Sequence, residues 1–438
     1  MNNPERPAEG LGEGIHMSTK TMTLAIIAIF VATGFAAAIG SGSSDANGGS
    51  VTVTDGADRV VTIKQPVKKV AVCDSTTFDV YAATVGEGWV DKLVLVPADI
   101  DTREPEKYAD IVKKYPQIRN IPKCPDLYSA AAFPDELVAA SGADLAIIPA
   151  SSIKYMGWTE ESFKITTSTG CAVLCIDLYS DSYAPDAAEK SILAVGKAVG
   201  VEKRAQALTD FYNEQAKKVT DVIAGIPDSE KGKKVYVEIM GSSVKDYGST
   251  TNMGVCEISA AGLKNAYTGN SYETWNTEKI LAENPDIIII AFTQYYGLKK
   301  GALLGYDSKG TTDEQLEKLA EEYKSRPGWS SLSAVKNGKV LFIYPEIGFT
   351  PSAFYSLQCL AKIAYPSYFG GLSPDANLQE YFDKYMYIEN DGRWSYTPTF
   401  TSSSESSDGG NTAMIAVGAI ILVVLIAGAA YYFHSKSK

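Results

Sequence analysis

Two carboxylate pairs recur at one spacing. Glu136 stands eight residues before Asp144, and Glu278 stands eight residues before Asp286. Each Asp leads into an apolar run, Leu145-Ala-Ile-Ile148 in one half and Ile287-Ile-Ile-Ile290 in the other. The helix macrodipole favours a carboxylate in the first turn, so the spacing predicts a helix opening at each Glu and a strand following each Asp. Imidazole chemistry is absent between them and around them. The two histidines, His16 and His434, lie outside the stretch from Met17 to Phe433. That removes Ser-His-Asp and Cys-His catalysis, His-ligated zinc or manganese and a proximal-His haem site. Carboxylate, lysine and tyrosine chemistry remains.

Other catalytic patterns are weak. Gly225 and Gly232 in GIPDSEKGK are seven apart, where a phosphate loop needs five. No GxSxG elbow occurs. The balance of 40 basic and 52 acidic residues, a net charge of −12, opposes nucleic acid as a partner, because such binding needs cations on the phosphates. Six cysteines allow fifteen disulfide connectivities. Cys171 and Cys175 are four apart on a predicted strand, about 13 Å at strand rise, which is too far for a mutual bond. Buried free thiols or one distant disulfide are expected, with no metal site.

The elements that must position these residues follow from short apolar runs. Val51-Thr-Val-Thr54 and Arg59-Val-Val-Thr-Ile63 alternate as half-buried antiparallel strands do. The runs Val70–Cys73, Leu93–Val96, Leu145–Ile148 and Ala172–Ile176 then alternate with helical patterns. The same alternation returns at Val235–Ile239, Ile287–Ile290 and Val340–Tyr344. Such alternation predicts α/β with mainly parallel sheets. Between the halves, Ile192, Val195, Val199, Leu208, Phe211, Val219 and Val222 keep helical spacing, with Gly200 a candidate kink. The expected architecture is two Rossmann-like lobes, 50–184 and 233–396, joined by a long rigid helix over 185–226.

Two apolar segments flank this body. Met22–Ile39 follows Lys20 and contains Ala36-Ala37-Ala38, so residues 1–45 read as a signal peptide or an apolar N-terminal segment. The 21 residues Ala413–Phe433 carry no charge, enough for one transmembrane helix, and the lysines after them place the C-terminus in the cytoplasm. Residues 397–412 are a Ser/Gly-rich tether. The lobes are therefore expected to be extracytoplasmic and membrane-anchored.

Ligands of parallel sheets bind beyond the strand C-termini. The loops there hold Thr76, Phe78, Arg103, Tyr155, Trp158, Tyr179 and Tyr183 in the first half, and Tyr247, Tyr295 and Tyr296 in the second. Flat amphipathic rings suit a large, partly apolar ligand such as a corrinoid, a porphyrin or a metal chelate. Arg103 and Lys154 can pair with ligand carboxylates. The neighbouring Asp74, Asp79, Asp99, Asp101, Asp177 and Asp181 fit a neutral or cationic chelate better than a polyanionic catecholate complex.

Four segments carry a family resemblance: Val51–Val72, Thr277–Ile290, Arg326–Ile343 and Ser352–Phe369. Their order and spacing resemble the cobalamin/iron-siderophore class of ABC-transporter substrate-binding proteins, the class with a helical backbone between the lobes. The resemblance implies a ligand cleft between two lobes, delivery to an ABC permease and its ATPase, and no catalysis or resident cofactor. It also implies that Glu136 and Glu278 dock on basic pockets of the permease. A tetrapyrrole-handling enzyme or chelatase of related fold, and a surface receptor working without a permease, are the competing readings.

Overall fold

The computed structural model describes residues 49–127, 132–177, 185–240, 243–245, 247–250, 258–269, 272–292 and 303–400, apart from the side chains of Lys154, Tyr155, Pro185, Asp186 and Asp307. The apolar segments at 22–39 and 413–433, and most of the tether, lie outside the described residues. Among the described residues no helix is long and apolar enough to cross a membrane.

The chain opens with an antiparallel hairpin, β1 (Ser50–Thr54) and β2 (Val60–Lys64), which pairs Thr54 with Val60 at its tip. Val53 and Ile63 are buried, whereas Thr52, Thr54 and Thr62 are exposed, as the alternation predicts. Asp55 closes the turn. Its carboxylate accepts from the amides of Ala57 and Arg59 and from Cys175, tying the hairpin to the first-lobe sheet.

That sheet contains β3 (Val70–Val72), β4 (Leu93–Pro97), β5 (Lys123–Cys124), β6 (Leu145–Pro149) and β7 (Ala172–Ile176). The spatial order is β5-β4-β3-β6-β7, and every pairing is parallel. The second sheet is mixed. Its centre is parallel, with β8 (Lys234–Ile239), β12 (Ile287–Ala291) and β13 (Val340–Ile343) side by side and β10 (Lys264–Asn265) beside β8. The short strands β9 (Ser249–Thr250), β11 (Glu273–Thr274) and β14 (Ser395–Tyr396) run antiparallel at its edges. The strands β6, β7 and β12 are buried along their whole length, which is why they read as continuous apolar runs rather than as alternating ones.

The expected single helix over 185–226 is instead two helices, Pro185–Val199 and Glu202–Gly225, packed against each other. Gly200 has φ +77°, a left-handed conformation that ends the first helix. Gly196 faces Ala205 so closely that a Cβ there would lie 2.2 Å from the alanine methyl. The second helix touches both lobes through Ser75–Val85 on one side and Phe354–Ala364 on the other. Arg204 donates to the carbonyl oxygens of Ala83 and Tyr385, at 3.2 Å each.

One apolar core runs through both lobes, including Phe78 and Trp89 from the first and Tyr387 and Phe382 from the second. A separate cluster covers the far face of the first sheet and holds Cys73, Cys124, Cys171 and Cys175. These four and Cys359 are buried free thiols, in line with the first of the two expected cysteine arrangements; Cys256 lies outside the described residues.

Candidate functional site

The parallel strands β3, β4 and β13 end at a common depression between the lobes. Its first-lobe wall is formed by Ser75, Thr76 and Asp79 after β3, and by Arg103 and Glu104 after β4. The second-lobe wall includes Tyr306, Tyr344, Glu346, Ser352 and Trp394. The depression has a volume of about 440 Å³, open solvent included. That lies within the roughly 300–1,000 Å³ of ligand pockets, and because it opens to solvent these residues make the floor of a cleft.

The helix Ser75–Val85 aims its N-terminus at this floor. Asp74 caps it, accepting from the amides of Thr76 (2.9 Å) and Thr77 (3.1 Å) and from the Thr76 hydroxyl. Helical spacing places Thr76 and Asp79 on one face, toward the cleft. Phe78 falls on another face and is 1% exposed, packed edge-on against Trp89. Its expected role as a ligand contact is therefore corrected: Phe78 is core.

Arg103 is fixed from below. Its Nε lies 3.0 Å from Asp99, and its Nη1 donates to Ser75 Oγ at 2.7 Å. Burial raises the Asp99 pKa, and the Arg103 charge works against that rise. Asp79 and Glu104 in turn share Lys107, whose Nζ lies 2.6 Å from Asp79 and 2.7 Å from Glu104. Burial raises the Asp79 pKa, with Lys107 opposing and Glu104 reinforcing. For Lys107, burial alone would favour the neutral amine, but the two carboxylates outweigh it and the pKa is raised. The floor thus carries fixed charge of both signs, with carboxylates in excess.

The remaining sequence candidates distribute unevenly. Trp158 is a second correction: it lies in the cluster behind the first sheet, against Phe133 and Phe163 at 5.6 and 6.3 Å between ring centroids. A tryptophan after a strand end looked like a cleft ring, but the helix Ala150–Met156 turns the chain back behind the sheet before reaching it. Tyr247 does not line the floor. Its ring covers the Arg326 guanidinium at 4.2 Å and its hydroxyl bonds Thr277 at 2.7 Å. Tyr179, Tyr183, Tyr295, Tyr296 and the Tyr155 side chain lie outside the described residues. Sequence reasoning missed Glu104, Tyr306 and Trp394 as cleft residues. Glu104 lies one residue beyond the loop read after Leu93–Val96, and neither Tyr306 nor Trp394 follows a long apolar run, the signal used to find strand ends.

Glu136 and Glu278 are exposed in the first turns of the helices Asp135–Ala140 and Thr277–Glu283. Their neighbours carry the structural work. Asp135 accepts from the amides of Ile165 and Thr166, at 2.7 Å each, and Asn276 caps the second helix through the amide of Lys279. Asp144 accepts from the amides of Lys68 and Lys69, and Asp286 from that of Lys234. Each Asp pins the chain where it enters a neighbouring parallel strand, β3 in one lobe and β8 in the other.

Two α/β lobes whose strand ends meet over a shared, charged cleft are an arrangement suited to holding a solute. The family described as Periplasmic binding protein matches residues 157–346. The uncharacterized ABC transporter substrate-binding lipoprotein YvrC of Bacillus subtilis is 26% identical over 325 residues, 73% of this chain and 87% of the relative. The TroA-like periplasmic binding protein FepB of Veillonella parvula superposes with a TM-score of 0.68 at 25% identity, covering 80% of this chain and 99% of that one. The molybdate-binding protein MolA of Haemophilus influenzae shares the fold, with a TM-score of 0.54 at 17% identity over 78% of this chain and 99% of that one. Residues 157–346 thus match the periplasmic binding protein family, and over most of its length the chain is similar to ABC-transporter substrate-binding proteins.

Proposed function

We propose that this protein is the membrane-anchored, extracytoplasmic receptor of an ABC importer, and that it captures an iron chelate or a corrinoid or haem in the interlobe cleft. The observation that supports this most is the floor itself, where Arg103 and three carboxylate side chains, Asp79, Glu104 and Glu346, converge from both lobes. A floor rich in carboxylates favours a neutral or cationic chelate, or a corrinoid, over a polyanionic catecholate complex, because a buried like charge is disfavoured at short range. Arg103, held by Asp99 and Ser75, is the group for a ligand carboxylate or amide oxygen.

Delivery runs through Glu136 and Glu278. Both are exposed, and among the described residues neither has an ion pair, so both are open to basic residues of a permease. Two such carboxylates set orientation and association rate more than affinity. Anchoring is assigned to the apolar span 413–433. The Bacillus relative is a lipoprotein, but here the first cysteine of the sequence is Cys73, inside the first lobe, so a lipid near residues 22–39 has no attachment point.

The test is a thermal-shift and absorbance screen of the purified chain against cobalamin, cobinamide, haem, ferric hydroxamates, ferric catecholates and ferric citrate. Saturable stabilisation by one neutral or cationic chelate or corrinoid, without turnover, is the expected result. Stabilisation by ferric catecholates alone would overturn the charge argument. No response to any of them would overturn the ligand class.

A further inference from the structure

We infer that a buried charge clasp between the lobes, rather than the linking helices, fixes the width of the cleft. The clasp is built around Lys107, which is 2% exposed and sits between Asp79 (4%) and Glu104 (9%). All three belong to the first lobe. Each carboxylate divides its oxygens in the same way. One oxygen takes Lys107, and the other takes a tyrosine hydroxyl that arrives from the second lobe: Tyr387 on Asp79 and Tyr344 on Glu104. A third second-lobe ring, Tyr306, faces the ammonium at 4.6 Å from its centroid.

Separating the lobes breaks this set asymmetrically. The three charges stay with one lobe and lose their donors and the ring, while the tyrosines leave with the other. A buried charged group that loses a partner costs more than the pair gained by forming. Tyr387 adds an apolar anchor, because its ring packs on Trp89 at 4.8 Å and on Phe78 at 6.1 Å, inside the first-lobe core. At the rim Lys309 of the second lobe meets Asp110 of the first at 2.8 Å. The linking helix Glu202–Gly225 touches each lobe along its side but supplies none of the partners of these buried charges.

The consequence is a cleft of fixed floor width, so that ligand size is selected by the floor and entry is left to the rim loops. The test uses the full chain in three variants: Tyr387→Phe, Lys107→Met, and Lys217→Gly at an exposed mid-helix position of Glu202–Gly225. Amide exchange in Pro105–Lys114 and the radius of gyration by small-angle scattering are measured without ligand. Tyr387→Phe removes one oxygen from the opposite lobe, and is expected to speed exchange in that helix about tenfold, the equivalent of one charged hydrogen bond. Lys107→Met is expected to enlarge the radius as well, and Lys217→Gly to change neither quantity. Unchanged exchange and radius in both clasp variants, or an equal expansion in Lys217→Gly, would overturn the inference. Should Lys107→Met fail to fold, Tyr387→Phe, which keeps the ring, decides alone.

Discussion

Each lobe holds a buried carboxylate against an arginine, and the two are supported differently. In the first lobe Asp55 takes Arg59 at 2.7 Å but also three backbone amides, those of Ala57, Arg59 and Cys175. In the second lobe Glu238 takes both Nη atoms of Arg326, at 2.8 and 2.9 Å, with the Gly248 amide and the Tyr236 hydroxyl each at a longer 3.2 Å. Arg326 is enclosed by the rings of Tyr247, Tyr323 and Trp329, whereas the Arg59 side chain is 20% exposed. A carboxylate backed by the main chain can outlive its arginine. One whose short bonds all come from an enclosed guanidinium loses far more with it.

Arg326→Met is therefore the most damaging substitution expected, costing about 3–5 kcal/mol as a broken buried pair. Arg59→Met should cost about 1–2 kcal/mol, the range of a partly exposed charged hydrogen bond. Denaturant titration of both variants measures the difference, and equal losses would break the comparison. Arg326 also holds the carbonyl of Val244 at 2.6 Å, so its loss should loosen the loop after β8 before the lobe unfolds.

Alkaline pH sharpens the contrast. The second lobe buries Tyr236, Tyr306, Tyr323, Tyr344, Tyr355, Tyr381 and Tyr387, and burial raises the pKa of each. In the first lobe Tyr81 is raised for the same reason. An unfolded tyrosine ionises near pH 10, at about its reference value. Above that pH the native state retains protons that the unfolded state has lost, so stability falls as pH rises. The Lys107 pKa, raised because its two carboxylates outweigh burial, adds a term of the same sign and higher onset. Buried thiols act in the same way at lower pH: the pKa values of Cys73, Cys171 and Cys175 in the first lobe and Cys359 in the second are raised, whereas unfolded thiols ionise near about pH 8.5. Stability should therefore begin to fall above about pH 8.5, chiefly through the first lobe, and fall more steeply above about pH 10 as the second-lobe tyrosines follow; a single onset at about pH 10 would show that thiol burial contributes nothing.

The strand-entry aspartates come next. Asp144→Ala removes two amide contacts and Asp286→Ala one. Losses of about 2 and 1 kcal/mol respectively are expected, read as shifts in denaturation midpoint. The reverse order would mean that the two lobes use the repeated motif for different purposes.

That motif shows how far the sequence could be read. The runs at Leu145, Ala172, Val235, Ile287 and Val340 became strands within a residue or two, because doubly buried parallel strands are apolar without interruption. The edge strands β9, β10, β11 and β14 have two residues each and no such run, so nothing local announced them. Thr76 and Arg103 were legible as floor residues because they lie in the loops and first turns that follow the strands Val70–Val72 and Leu93–Pro97. Phe78 and Trp158 were misplaced because a helix intervenes: Phe78 takes its direction from the helix it lies in, and Trp158 follows a helix that has already turned the chain behind the sheet. The clasp was illegible in principle. Asp79 and Tyr387 are 308 positions apart, and no local pattern records such a meeting.

The smallest effect on folding is expected where the effect on function is largest. Glu136 and Glu278 are exposed on first helical turns, and other residues do the anchoring there: Asp135 ties the first helix to Ile165 and Thr166, and Asn276 caps the second. Reversing both to lysine places a cation at each positive helix end, a cost of about 0.3–1 kcal/mol per site, and leaves the cleft floor untouched. If these two carboxylates are what the permease reads, Glu136→Lys with Glu278→Lys should abolish uptake in cells while ligand-induced stabilisation of the purified chain stays as in the parent. Single reversals separate the lobes: equal partial losses mean that both contacts orient the complex, and a complete loss from one alone means that a single lobe carries recognition. Undiminished uptake in the double variant would remove docking from both residues and leave them as solvated helix-start carboxylates.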